Sequence, residues 1–103
     1  MNYMGVITVV VQDENGTQIG KQLALPTEVL PPPEDERVGL LRFVDLYGDT
    51  VFNRLQMPQI LQDLRLLETI VQRREQQDLL RQIEEFASVC QKGPHLYLKW
   101  IGD

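Results

Sequence analysis

The sequence is short of the residues that carry most side-chain chemistry. Its 103 residues include one cysteine, Cys90, one histidine, His95, and one serine, Ser88. A lone cysteine excludes a disulfide framework within the chain and suits a reducing compartment. One cysteine and one histidine cannot complete a zinc site without carboxylates or a second chain. Ser88 falls in a helical run with no histidine near it in sequence, which argues against a serine nucleophile. No glycine-rich phosphate loop, dinucleotide fingerprint or nucleophile elbow is present. No cofactor or metal is therefore expected.

Long apolar runs are also lacking. No stretch approaches the roughly 20 residues that a membrane span requires. Val6, Ile7, Thr8, Val9, Val10 and Val11 are apolar or β-branched, but no Lys or Arg precedes them and no small-residue cleavage site follows. That is not the pattern of a secretory signal. The expected location is cytoplasmic, away from membranes. Basic charge is in deficit as well, with 10 Lys and Arg against 15 Asp and Glu, a formal net charge of -5. Nucleic-acid binding needs a basic stripe that releases counterions. The only close basic pair, Arg73 and Arg74, is followed at once by Glu75, so no nucleic-acid partner is expected.

What remains is an ordinary globular composition, 43% hydrophobic and 24% charged. The length suits a single domain over residues 1–103 with a core that needs no staples. Residues 3–12 are rich in side chains stiff at χ1, which favour a strand. Both faces of this run are apolar, so it is expected to be central and covered on both sides. Asn15-Gly16 marks a tight turn, and residues 17–25 return as a second strand. Residues 26–37 are a loop, since Pro31, Pro32 and Pro33 cannot join a ladder. Acidic residues follow the prolines, where a groove-binding ligand would carry a basic anchor, so a stiff surface loop is the reading taken. Residues 40–45 alternate as a third strand, with Leu41 and Phe43 inward. Gly48 turns the chain into a short fourth strand at residues 50–53.

From Pro58 to Lys92 no glycine and no further proline occurs. Met57, Ile60, Leu64, Leu67 and Val71 recur at helical spacing, as do Leu79, Leu80, Ile83, Phe86, Ala87 and Cys90. The two stripes are rotated by roughly 110° at 100° per residue. One straight helix through both would be about 50 Å long. A compact chain of this length has a radius of gyration near 13 Å. A break is therefore expected within residues 72–78, which are all polar. Gly93-Pro94 ends the second helix, and residues 95–101 form a last strand inserted into the sheet.

The expected fold is α+β: an antiparallel sheet of four to five strands in the chain order β-β-β-β-α-α-β, with two helices packed on one face. The expected sheet core is Val6, Val10, Leu23, Leu41, Phe43, Leu96, Leu98 and Trp100. The helices are expected to add Ile60, Leu64, Leu67, Ile83 and Phe86.

The densest mixture of polar and aromatic groups lies in residues 45–56. Asp45, Tyr47, Asp49, Asn53, Arg54 and Gln56 are the candidate interaction residues, because loops on a rigid scaffold often carry function. Leu46, Tyr47, Val51 and Phe52 would supply an apolar patch rimmed by Asp45, Asp49 and Arg54. The plainer reading is that Asp45 and Asp49 shape a turn while Asn53 or Gln56 caps a helix. Cys90 lies on the apolar stripe and is expected to be an inert buried thiol. Gln62, Arg65, Gln72, Arg73, Glu75, Gln76 and Gln77 read as a solvated helix face.

The functional expectation is a non-enzymatic protein-interaction module, such as an inhibitor, an immunity-type neutraliser or an accessory subunit. Its partner would be another protein, basic by charge complementarity, or a second copy through a strand edge or the helices. The alternative is a small-molecule or metal-dependent enzyme using Asp45, Tyr47, Asp49 and Arg54, with His95 as the acid–base group.

Overall fold

The computed structural model describes residues 5–102. Strand β1, Val6–Asp13, turns through Asn15 and Gly16 into β2, Gln18–Pro26. The Asp13 carboxylate accepts the backbone N–H groups of Asn15 and Thr17 at 2.9 and 3.0 Å, and Gly16 sits at φ 81°. The turn read from Asn-Gly is thus present, ordered from beneath by an aspartate. Strand β3, Asp49–Phe52, helix α1, Met57–Ile70, helix α2, Arg74–Lys92, and strand β4, Leu96–Ile101, follow.

The four strands form one antiparallel sheet in the order β2-β1-β4-β3. The last strand inserts between the first and the third. The α+β class, the antiparallel sheet and the helix pair ahead of a final strand are as expected. One expected strand is not. Residues 40–45 form a short 3-10 turn at Leu41–Phe43 within a long loop. The reason lies in the spacing of the buried side chains: Val38, Leu41 and Val44 are inward, while Phe43 is 57% exposed. A spacing of three belongs to a tight helical turn rather than a pleat. The three strands before the helices are therefore β1, β2 and β3.

β1 is central, as its composition implied, but on its second face Val10 is buried while Val6 is exposed and Thr8 half-buried. Val9 pairs with Trp100 and Val11 with Leu98, whereas Val10 pairs with Lys99. Paired residues point the same way, so Ile7, Val9 and Val11 join Leu98 and Trp100 beneath the helices. Val6, expected in the core, is 46% exposed, and Val10 is buried on the opposite face, outside the main core. Leu96 and Phe86 are only partly buried at the core's margin, Phe43 is outside it at the surface, and the other expected core residues are inside it.

β2 carries a bulge. Between the pairs Val9↔Leu23 and Val11↔Ile19, β2 advances by more residues than β1. Gly20 takes φ 77° there, a conformation that other residues reach only with strain.

The helical run breaks as the rotated stripes required. α1 ends at Ile70 and α2 starts at Arg74, so the break occupies 71–73, at the near edge of the expected window. The longest dimension of the molecule is 39 Å, too short for an unbroken 58–92 helix. The Gln77 amide donates to the carbonyls of Val71 and Glu68 at 3.1 and 3.5 Å, closing the end of α1. Arg65 meets Glu84 at 3.6 Å and Arg81 meets Glu68 at 3.1 Å, lacing the antiparallel hairpin. α2 lies on β1, β2 and β4, and α1 packs on α2.

Candidate functional site: a braced loop face

The polar residues of 45–56 do mostly local work. The Asp45 Oδ1 accepts the N–H of Tyr47 at 2.9 Å, and its own N–H donates to the Thr50 hydroxyl. Asn53 accepts the N–H groups of Leu55 and Gln56, while the Gln56 amide oxygen accepts the N–H of Asn53. This is a reciprocal capping box ahead of α1. Asp49 lies 3.5 Å from the Lys99 ammonium on the neighbouring strand. Tyr47 and Arg54 are exposed, Tyr47 to 84%. The structure thus brings Asp45 and Tyr47 together in one turn, puts Asn53, Arg54 and Gln56 in another, and sends Asp49 to the sheet.

The apolar patch expected here is dispersed. Phe52 is in the core at 5% exposure, and Val51 projects from the helix-free face of the sheet. Leu46 and Tyr47 stay at the loop surface, joined by Phe43. The Arg42 guanidinium stacks over the Phe43 ring at 4.5 Å and donates to the Pro33 carbonyl at 3.2 Å. Beside it runs an open groove of about 340 Å³ lined by Leu30, Pro31, Pro32, Pro33, Arg42, Val44 and Leu46. The stiff proline segment forms one wall.

The residue that holds this loop is one the sequence reading passed over. Asp63, on α1, is only 1% exposed. Its carboxylate accepts the backbone N–H groups of Gly39, Leu40 and Leu41 at 2.9, 2.7 and 3.1 Å. The Gln59 amide adds a fourth donor at 2.8 Å. Two of those N–H groups, of Leu40 and Leu41, belong to the segment expected as a strand at 40–45. A buried carboxylate is tolerable because its lone pairs are all engaged. The signal for it in sequence was an aspartate on the apolar stripe, one residue before Leu64. A second brace is Asp35, which the Arg37 guanidinium grips in two bonds of 2.8 and 2.9 Å. The Arg37 hydrogen bonds hold its carboxyl below the usual carboxylate range.

His95 is remote from the 45–56 cluster. It precedes Leu96, where Nδ1 meets Glu14 at 3.2 Å. Asp49 is paired across from Ile101 at the other end of the same strand. At about 3.4 Å per residue that separates the two by roughly 20 Å. Cys90 is fully buried, and burial pushes its thiol up to about 11. Among the described residues no group of three or more His, Cys, Asp or Glu is placed to hold a metal ion. No helix among them is long and apolar enough to cross a membrane.

Comparison of the chain with protein-family models, with curated proteins and with solved structures finds no match.

Proposed function

We propose that this protein is a non-enzymatic interaction module whose contact surface is the braced loop face carrying Phe43 and Tyr47. One observation carries the reading: two aromatics, 57% and 84% exposed, stand on a loop fastened from inside by a buried carboxylate. Rigid aromatics beside an arginine are the composition of interface hot spots. A preordered loop loses less entropy on binding than a mobile one. The partner is a protein with a basic surface, drawn by the net charge of -5. Inhibitor, neutraliser and accessory-subunit roles all use such a surface, and a cytoplasmic setting accords with a single buried thiol. The enzyme alternative has less support, because His95 does not reach the carboxylates it would serve.

The test is photo-crosslinking in extract of the source cells, with a crosslinking amino acid placed at Tyr47 or, as a control, at Gln72 on the helix hairpin. Position 47 should give a discrete adduct with a basic protein, absent from position 72 and weakened by salt. With that partner in hand, Phe43→Ala or Tyr47→Ala should weaken binding by about thirtyfold, the scale of a hot-spot loss. No adduct specific to position 47 at any salt concentration would defeat the proposal.

A further inference from the structure

We propose that the groove walled by the proline segment binds a small apolar carboxylate, with the Arg42 guanidinium receiving its head group. The inference concerns the groove beside the exposed aromatics rather than the aromatics themselves, and neither proposal needs the other. The groove holds about 340 Å³, at the low end of the roughly 300–1,000 Å³ of small-ligand sites. Its lining is apolar at Leu30, Pro31, Pro32, Pro33, Val44 and Leu46, and Arg42 is the one charged residue in it.

Arg42 is a positive charge with little to balance it. It enters no salt bridge among the described residues. Its Nη1 donates to the Pro33 carbonyl at 3.2 Å, and its Nε is sealed from water with no partner. The stack on Phe43 at 4.5 Å fixes the plane of the guanidinium, so its fork is set before a ligand arrives. Asp35 feels the Arg42 charge, but Arg37 already grips that carboxylate in two bonds. A carboxylate is the group whose geometry such a fork matches, through charge-assisted hydrogen bonds.

The rest of the groove decides what the head group is attached to. Pro31, Pro32 and Pro33 have no backbone N–H to offer. The N–H groups of Leu30 and Val44 are spent on the carbonyls of Thr27 and Leu41, at 3.0 and 3.3 Å. A peptide laid here would leave its own carbonyls short of donors, so an extended chain segment fits poorly. A body with no further polar groups loses nothing there and gains by leaving water. Charge limits the head group as well. In a chain of net charge -5, a doubly charged phosphate is repelled more than a single carboxylate. The ligand is thus a monocarboxylate with a short alkyl or aryl body.

Titration of the full chain with octanoate, octanol and octylammonium, followed by amide shifts, tests it. Octanoate should saturate and move the signals of Leu30, Arg42, Val44 and Leu46. It should bind at least about tenfold tighter than octanol, the worth of a charge-assisted hydrogen bond. Arg42→Gln should abolish the preference for octanoate over octanol. Because the comparison of head groups uses the unaltered chain, the test survives a variant that folds badly. Octanol or octylammonium binding as tightly as octanoate overturns the proposal. Shifts that gather away from the groove, or no saturation by octanoate, overturn it equally. A blocked apolar peptide that saturates where octanoate does not overturns it too. Absence of an adduct at position 47 moves none of these readings, so the two proposals fail separately.

Discussion

Asp63 concentrates more structural consequence than any other polar side chain described. Four donors converge on one carboxylate that is almost wholly out of water. Removing it strands three backbone N–H groups and frees the loop wall. Asp63→Ala should cost about 3–5 kcal/mol, the scale of an orphaned buried hydrogen-bond network. Urea unfolding measures this, and a loss below about 1 kcal/mol would mean that water substitutes freely for the carboxylate. Cys90 makes a second prediction at this scale. Its thiol ionises near 9 in the unfolded chain and near 11 in the fold. Folded stability from this group is complete below pH 9, because the thiol is neutral in both states. As pH rises from 9 to about 11 the unfolded chain loses its proton first, so stability falls across that window. Cys90→Ala should flatten that alkaline decline, and the native thiol should resist alkylation until the chain unfolds.

The elements differ in how openly their residues announce them. β4 was legible because Leu98 and Trp100 alternate with Tyr97 and Lys99, a pattern only a half-covered strand satisfies. β1 was legible as a strand but not by face, since valines stand on both sides of it. Its inward side is chosen by pairing with Leu98 and Trp100, and a single run cannot disclose a partner some ninety residues away. The 40–45 segment misled for a related reason. Leu41, Phe43 and Asp45 alternate, yet its first two backbone donors, those of Leu40 and Leu41, go to the side chain of Asp63, far along the chain. Of the candidate site, the turn and capping roles of Asp45, Asn53 and Gln56 were readable from composition. The exposure of Phe43 was not, because it depends on where the loop is fastened. The helix break needed arithmetic on rotation and size, since the stop is made by Gln77 reaching back to α1 rather than by glycine or proline. Two substitutions examine these ends. Asn53→Ala should cost about 1 kcal/mol through the lost cap. Gln77→Ala should cost about 0.5–1.5 kcal/mol through the two freed carbonyls. Thermal unfolding reads both, and neither should alter crosslinking from position 47.

At the scale of the whole molecule, the loop face relies on rigid aromatics and long-range attraction by net charge. The sheet order gives the molecule a further property. β4 sits between β1 and β3, so all six of its residues pair with β1 and four of them, Leu98 to Ile101, pair with β3 as well. Thr8 pairs with Ile101, which makes the closing contact one of the longest loops the chain can draw shut. Such closures are slow relative to hairpins and helix pairs. Until β4 arrives, β1 has a bare edge and its inward valines lie open, the arrangement from which chains join one another instead of themselves. The crowded period in this protein's life is thus the interval between synthesis of its first strand and its last, and refolding yield should fall with protein concentration.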